Sequence, residues 1–164
     1  MAAVFEDTRT GFNPDPSLDR WVAHRCGQIA NRIGTMLAPA HGGRHKLSSN
    51  EWRALAVVAR FEPLSAAILS EHSRLDPSRV SRAIDVLVGK RLITREKDPA
   101  DQRRALVQMT PRGRTIYADI ARSVHTLERE LVATLTTTEQ RALWSAFDKI
   151  DKQLKRKSEG GGTA

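Results

Sequence analysis

The sequence of 164 residues has one cysteine, Cys26, one tyrosine, Tyr117, and no stretch approaching the ~18 consecutive apolar residues that a membrane-spanning helix needs. A single cysteine cannot close an intramolecular disulfide, and the count excludes a zinc module built on several cysteines. The first residues, Met1 to Asn13, carry Glu6, Asp7 and Arg9 without an apolar core, so no secretory signal is expected there. A soluble, cytoplasmic protein with no membrane partner is the expectation. No glycine-rich phosphate loop follows a strand, no nucleophile elbow is present, and no pair of carboxylates is placed for acid–base work. The chain is therefore not expected to be an enzyme. Nor is a cofactor or metal expected: His41 and His45 lie in a glycine loop with no acidic or cysteine partner nearby in sequence, and the loop reads as exposed.

What the chain does have is positive charge. Lys and Arg number 27 against 19 Asp and Glu, a net charge of +8, while 40% hydrophobic and 28% charged residues are ordinary for a globular chain. The excess is concentrated. From Asp76 to Arg114 ten basic residues stand against five acidic, more than half of the whole net charge, as an electrostatic footprint for nucleic acid requires.

Apolar periodicity orders the chain. A long first helix is expected from Ser17 to about Ala38, with Leu18, Val22, Ile29, Ile33, Met36 and Leu37 on one stripe and Pro39 and Gly42-Gly43 as its stop. Ser48-Ser49-Asn50-Glu51 has the spacing of a capping box and opens a second helix with Trp52, Leu55, Val58 and Ala59 on its buried side. Ser65 caps a short helix, Ala66 to Ser73. Asp76-Pro77 then opens another, whose Val80, Ile84, Leu87 and Val88 face inward while Ser78, Arg79, Ser81 and Arg82 face out. Leu92 to Glu96 and Ala105 to Met109 read as two strands around a charged tip. Thr110-Pro111 starts a long helix with Ile116, Ile120, Val124, Leu127, Leu131 and Leu135. Thr136 to Glu139 is a second capping box, opening a last helix with Leu143, Phe147, Ile150 and Leu154. The fold class is mainly α with a small β-wing, a winged helix-turn-helix. Its second helix must be apolar behind and polar in front, to meet phosphates and base edges in the major groove.

These segments resemble the MarR (multiple antibiotic resistance regulator) family of winged-helix transcription factors. Asp76-Pro77-Ser78-Arg79-Val80-Ser81-Arg82-Ala83-Ile84 is similar to that family's recognition helix, and Asp101-Gln102-Arg103 to its wing signature. The resemblance implies a sequence-specific DNA-binding regulator, a repressor released from a pseudo-palindromic operator by a small organic ligand. It implies that Ser78, Arg79, Ser81 and Arg82 face the major groove, that Ser65 meets phosphate, and that Arg103 enters the minor groove oriented by Asp101. Arg104 stands where the resemblance leads one to expect a small residue, a departure that would either add a phosphate contact or alter the wing. Arg91 occupies the place of a helix-ending glycine, a turn that Gly89 could supply. The resemblance also implies a homodimer through the N- and C-terminal helices. The expected layout is an arm over 1–16, a dimerisation helix over 17–38, the winged lobe over 47–110, C-terminal dimerisation helices over 111–155 and a flexible tail over 156–164, forming one structural domain.

An aromatic acid suits an effector cavity built from Trp21, His24, Arg25, Gln28 and Arg32 of the first helix with Trp52 and Tyr117, since aromatic walls and a few cationic groups match such a ligand. The alternatives are a redox regulator sensing through Cys26 and a basic helical adaptor. The first lacks the tyrosines that activate the thiol in the hydroperoxide-sensing branch of the family, and a buried structural cysteine is the default. The second leaves the wing unexplained.

Overall fold

The structure, a computed structural model, describes residues 21–101 and 103–160. Length alone favours one domain, yet the chain forms two compact units that divide between Ser123 and Val124. The expected arm over 1–16 and the first residues of the expected dimerisation helix lie outside the described residues.

In the first unit α1 (Val22–Gly42) leads to α2 (Ser49–Phe61), β1 (Leu64–Ser65), α3 (Ala66–Ser73), α4 (Pro77–Gly89), β2 (Ile93–Lys97), β3 (Ala105–Met109) and the greater part of α5 (Pro111–Val132). The core is aliphatic. Leu47, Leu55, Val58, Leu64, Leu69, Val80, Leu87, Leu92, Ile93, Val107 and Ile120 are nearly or wholly inaccessible. Caps begin the helices where the sequence predicts them: Ser48 and Glu51 form a reciprocal box on α2, and Asp76 precedes Pro77 at the start of α4.

The three strands are antiparallel in the order β1-β3-β2. Ile93 pairs with Met109 and Lys97 with Ala105, which sets the register of the expected hairpin. The third strand is an addition. Leu64 and Ser65 pair with Val107 and Leu106; two residues carry no legible alternation, so periodicity could not reveal them.

Helix boundaries supply the corrections. Pro39 does not stop α1, which continues through it to Gly42. A proline forfeits its own amide donor, but the turn it opens is held at the far end. Gly43 N–H donates to the Pro39 carbonyl at 3.1 Å, and buried His41 donates from Nδ1 to the Leu47 carbonyl at 2.7 Å. At the end of α4, Gly89 is helical and Arg91 itself takes the left-handed conformation, φ 57°. Leu92 N–H donates to the Leu87 carbonyl and Arg91 N–H to that of Val88, at 2.9 and 2.8 Å. This is a Schellman termination with arginine in the position that favours glycine, closed by the buried pair Leu87 and Leu92.

Where α5 begins, Thr110 Oγ1 accepts from Gly113 N–H at 2.9 Å and donates to the Arg91 carbonyl at 2.8 Å. Gly113 passes so close to Leu92 that a Cβ would stand 1.9 Å from the Leu92 carbonyl oxygen. Only glycine fits there.

The second unit holds the end of α5 and α6 (Thr137–Gly160). Thr136 and Glu139 form the expected reciprocal cap, with Thr136 N–H donating to Glu139 at 2.8 Å. Gln140 Nε2 donates to the carbonyls of Val132 and Leu135, closing the turn between the helices. The tail expected over 156–164 is helical as far as Gly160. No breaker precedes that glycine, Lys155 pairs with Asp151 one turn back at 2.8 Å, and cations in a last turn suit the helix dipole. Along α6 the apolar stripe is exposed: Trp144 (61%), Phe147, Ile150 and Leu154.

Arg91→Gly should raise stability in urea unfolding by about 0.5–1 kcal/mol, the left-handed penalty of a side chain less the extra freedom glycine gives the unfolded chain. A variant no more stable than the parent would show that the turn is unstrained.

Candidate nucleic-acid interface

Along α4, Val80, Ala83, Ile84 and Leu87 are buried, while Ser78, Arg79, Ser81 and Arg82 are all exposed; Val88, expected to face inward, is exposed near the end of the helix, one position past the buried Leu87. Its first turn is dominated by Asp76. Oδ1 accepts from Arg79 N–H at 2.9 Å and from Ser78 Oγ at 2.7 Å, and Oδ2 lies 3.0 Å from Arg79 Nε. The Ser78 hydroxyl, then the Arg79 amide, hold this carboxyl below its ordinary pKa of 3.8. By sequence Asp76 reads as a cap alone; the i,i+3 spacing to Arg79 is the signal for the ion pair. Arg82 makes no ion pair with any described residue.

The wing tip, between β2 and β3, is organised by two aspartates. Asp98 N–H donates to the Arg104 carbonyl at 3.0 Å, and its own Oδ1 accepts from Ala100 N–H at 2.8 Å. Asp101 Oδ1 accepts from Arg103 N–H at 3.0 Å, while Oδ2 lies 3.6 Å from Arg104 Nε. Asp101 thus steers Arg103 through its backbone and pairs with the guanidinium of Arg104 instead. A carboxylate reaches the amide two residues on with little cost, which makes this the local choice. The Arg103 and Arg104 side chains are exposed.

Ser65 caps α3, accepting from Ile68 N–H at 3.4 Å, and is half-buried. It borders a cleft of about 370 Å³ between α3, α4 and the wing, with Ile84 and Val107 inside and Arg95 and Arg104 on its rim. A contiguous cleft of about 280 Å³ shares Ala66, Ala67, Ile84 and Arg95 and reaches Ser81. Arg95 also stands 3.9 Å from Asp85 of α4. The described residues therefore bring Ser65 and Arg104 to one cleft and Ser81 to the next, with Arg95 lining both. On the other flank of α4, Arg79 and Arg82 line a cleft of about 300 Å³ with Asn50 and Glu51.

The suggested effector residues are less gathered. Trp52 and Tyr117 are half-buried and stacked, centroids 5.6 Å apart. Gln28 Nε2 lies 2.9 Å from His24 Nε2, whereas Trp21, Arg25 and Arg32 are exposed. The clefts beside α4 are lined by other residues. Cys26, for which burial is the default, is exposed on α1.

The His41–His45 segment is not the open loop expected. His41 is buried, and His45 Nε2 meets Asp119 Oδ2 of α5 at 2.8 Å, with Arg44 and Arg122 also beside that carboxylate. The acidic partner lies 74 positions away, invisible to local spacing. Chiefly through the His45 hydrogen bond, Asp119 is held below its ordinary pKa. Among the described residues no group of three or more His, Cys, Asp or Glu could hold a metal ion, and no helix is long and apolar enough to cross a membrane.

Residues 45–104 match the family model described as MarR family. A solved transcriptional regulator of that family from Silicibacter pomeroyi is 26% identical, with a TM-score of 0.71 over 81% of this chain and 89% of that one. The PcaV regulator of Streptomyces coelicolor, solved with its natural ligand, is 18% identical with a TM-score of 0.73, covering 93% and 98%, a likeness of fold. An uncharacterized HTH-type transcriptional regulator of Staphylococcus aureus is 23% identical over 90 residues, 55% of this chain. The match spans 62% of the length of that relative.

Asp119→Asn should lower the melting temperature at neutral pH, with the gap to the parent closing in acid. A carboxyl whose folded pKa is lowered contributes stability above its ordinary value, near 3.8, and loses it as pH falls through the lowered value. Melts whose difference is constant from pH 7 to about pH 2 would show that the pair is inert.

Proposed function

We propose that the chain is a member of the MarR family, whose model matches residues 45–104, and that it is a sequence-specific DNA-binding regulator, not an enzyme, acting as a homodimer in the cytoplasm. The observation that carries this reading is the exposed face of α4, with Ser78, Arg79, Ser81 and Arg82 opposite buried Val80, Ala83, Ile84 and Leu87, beside a wing tipped with Arg103 and Arg104. A helix of this kind suits the major groove. A guanidinium on a projecting hairpin suits the minor groove, whose negative potential draws it in. Two-fold symmetry asks for a pseudo-palindromic operator with half-sites about one helical turn apart.

The exposed apolar stripe of α6, and separately that of α1 with Val22 (56%) and Ile29, are the surfaces a second copy would cover. We further infer repression relieved by a small aromatic acid. Stacked Trp52 and Tyr117, with Trp21, would supply the apolar wall, and His24, Arg25, Gln28 and Arg32 the polar groups; the PcaV regulator, similar in fold, was solved with its natural ligand. Only a difference in ligand affinity between the DNA-bound and free shapes can drive release.

Fluorescence anisotropy of the full chain on DNA from upstream of its own gene and on a scrambled duplex, across a salt series, tests the reading. A DNA reader holds the native fragment near physiological salt while the scrambled duplex is shed. Equal, salt-sensitive binding to both, repeated with duplexes drawn from a random library, would mark a nonspecific basic surface. Arg82→Ala and Arg103→Ala should each weaken operator binding by about 1–3 kcal/mol without altering the dimer; parental affinity in both would refute the site. Leu127→Glu or Leu131→Glu should shift the dimer toward monomer in analytical ultracentrifugation, because a charge would be buried unpaired. An undisturbed dimer would mean that this stretch of α5 lies outside the interface.

A further inference from the structure

With α4 taken as the DNA-reading helix, the role proposed for it above, its first turn holds more than a cap. Both oxygens of Asp76 are engaged, whereas a helix cap needs only one contact, the 2.9 Å bond from Arg79 N–H. The others commit two side chains of the exposed face. Ser78 gives its hydroxyl proton to Oδ1, and Arg79 sets Nε 3.0 Å from Oδ2. The second contact is an ion pair, and a guanidinium so paired samples fewer poses while Nη1 and Nη2 keep donors for a further ligand. Arg82, one turn further along the same face, has no such partner among the described residues. The two arginines therefore differ: one is held before any ligand arrives, the other is not.

A held arginine loses less freedom on binding and tolerates fewer geometries, the two conditions for discrimination. Two parallel N–H donors match O6 and N7 of guanine in the major groove, a pair of acceptors that no other base presents there. A carboxylate at the mouth of the interface also repels phosphate, which penalises DNA that gives Arg79 nothing to bind.

We propose that Asp76 is a specificity-determining positioning residue, which buttresses Arg79 to read one guanine in each half-site and weakens binding to DNA lacking it. Asp76→Asn is the informative variant, because asparagine caps helices as well as aspartate does but its amide cannot anchor a guanidinium. Asp76→Ser, also a good cap, is the second, and thermal melts matching the parent exclude misfolding as the cause.

Duplexes selected by the parent chain from a random library would be titrated by anisotropy, with each guanine replaced in turn by 7-deazaguanine, which lacks the N7 acceptor. The parent should lose about tenfold in affinity at one symmetry-related guanine. Asp76→Asn and Asp76→Ser should lose most of that discrimination while binding random duplex more tightly. In an Arg79→Ala background, Asp76→Asn should change the discrimination no further. Variants that discriminate as the parent does would reduce Asp76 to a cap, and a guanine dependence that survives Arg79→Ala would assign the reading elsewhere. A parent chain that selects no sequence at all would overturn the DNA-reading role of α4 along with the task given to Asp76, a result distinct from a selective parent with indifferent variants.

Discussion

One backbone carbonyl, that of Leu92, sets the geometry of the winged lobe. It accepts from Thr110 N–H at 3.0 Å and from Thr110 Oγ1 at 3.1 Å, and Gly113 lies against it with no room for a side chain. The end of α4, the start of β2 and the first turn of α5 meet at this point. Arg91 must turn left-handed to deliver Leu92 there, and α5 must begin Thr-Pro-x-Gly to receive it. The direction of α4 and the root of the wing are fixed together by this contact. Hydrophobic burial supplies the larger share of the stability, but it is non-directional, and backbone contacts of this kind select one arrangement among many that would bury the same leucines.

Charge is organised rather than spread. Each basic element at the interface is attended by a carboxylate with a structural duty. Asp76 caps α4, Asp101 and Asp98 shape the wing tip, and Asp85 of α4 lies 3.9 Å from Arg95 of β2. Glu62 accepts from Met109 N–H at β3 and pairs with Arg114. Exposed pairs of this sort contribute little to stability. Their effect is to reduce the poses a cation samples while the net charge stays strongly positive.

Much of this is legible in the sequence because the signals are local. Asp76-Pro77, Ser48 with Glu51, and Thr136 with Glu139 mark helix starts through side chains that satisfy amides within three residues, and the inward period of Val80, Ile84 and Leu87 gives the outward face of α4 by subtraction, though Val88, read with them, is exposed. Illegible are contacts whose partners are distant or whose element is too short. His45 with Asp119, Glu62 with Arg114 and the two-residue β1 leave no pattern in a window of a few residues. Pro39 and Gly89 mislead for a different reason: each has a local preference that tertiary contacts at His41 and at Leu92 outweigh. The suggested effector set rests on residue type alone, and within it the fold stacks Trp52 on Tyr117 and joins His24 to Gln28.

The short strand β1 alters how the wing opens. By pairing Leu64 and Ser65 with Val107 and Leu106, it makes the root of β3 an inner strand, bonded on both sides and continuous with the cap of α3. Amides at that root, bonded within the sheet, are expected to exchange with solvent more slowly than those of Asp98, Ala100, Arg103 and Arg104, which take part in turn bonds. The hairpin is thus anchored on both sides at the root of β3 and on one side only further out.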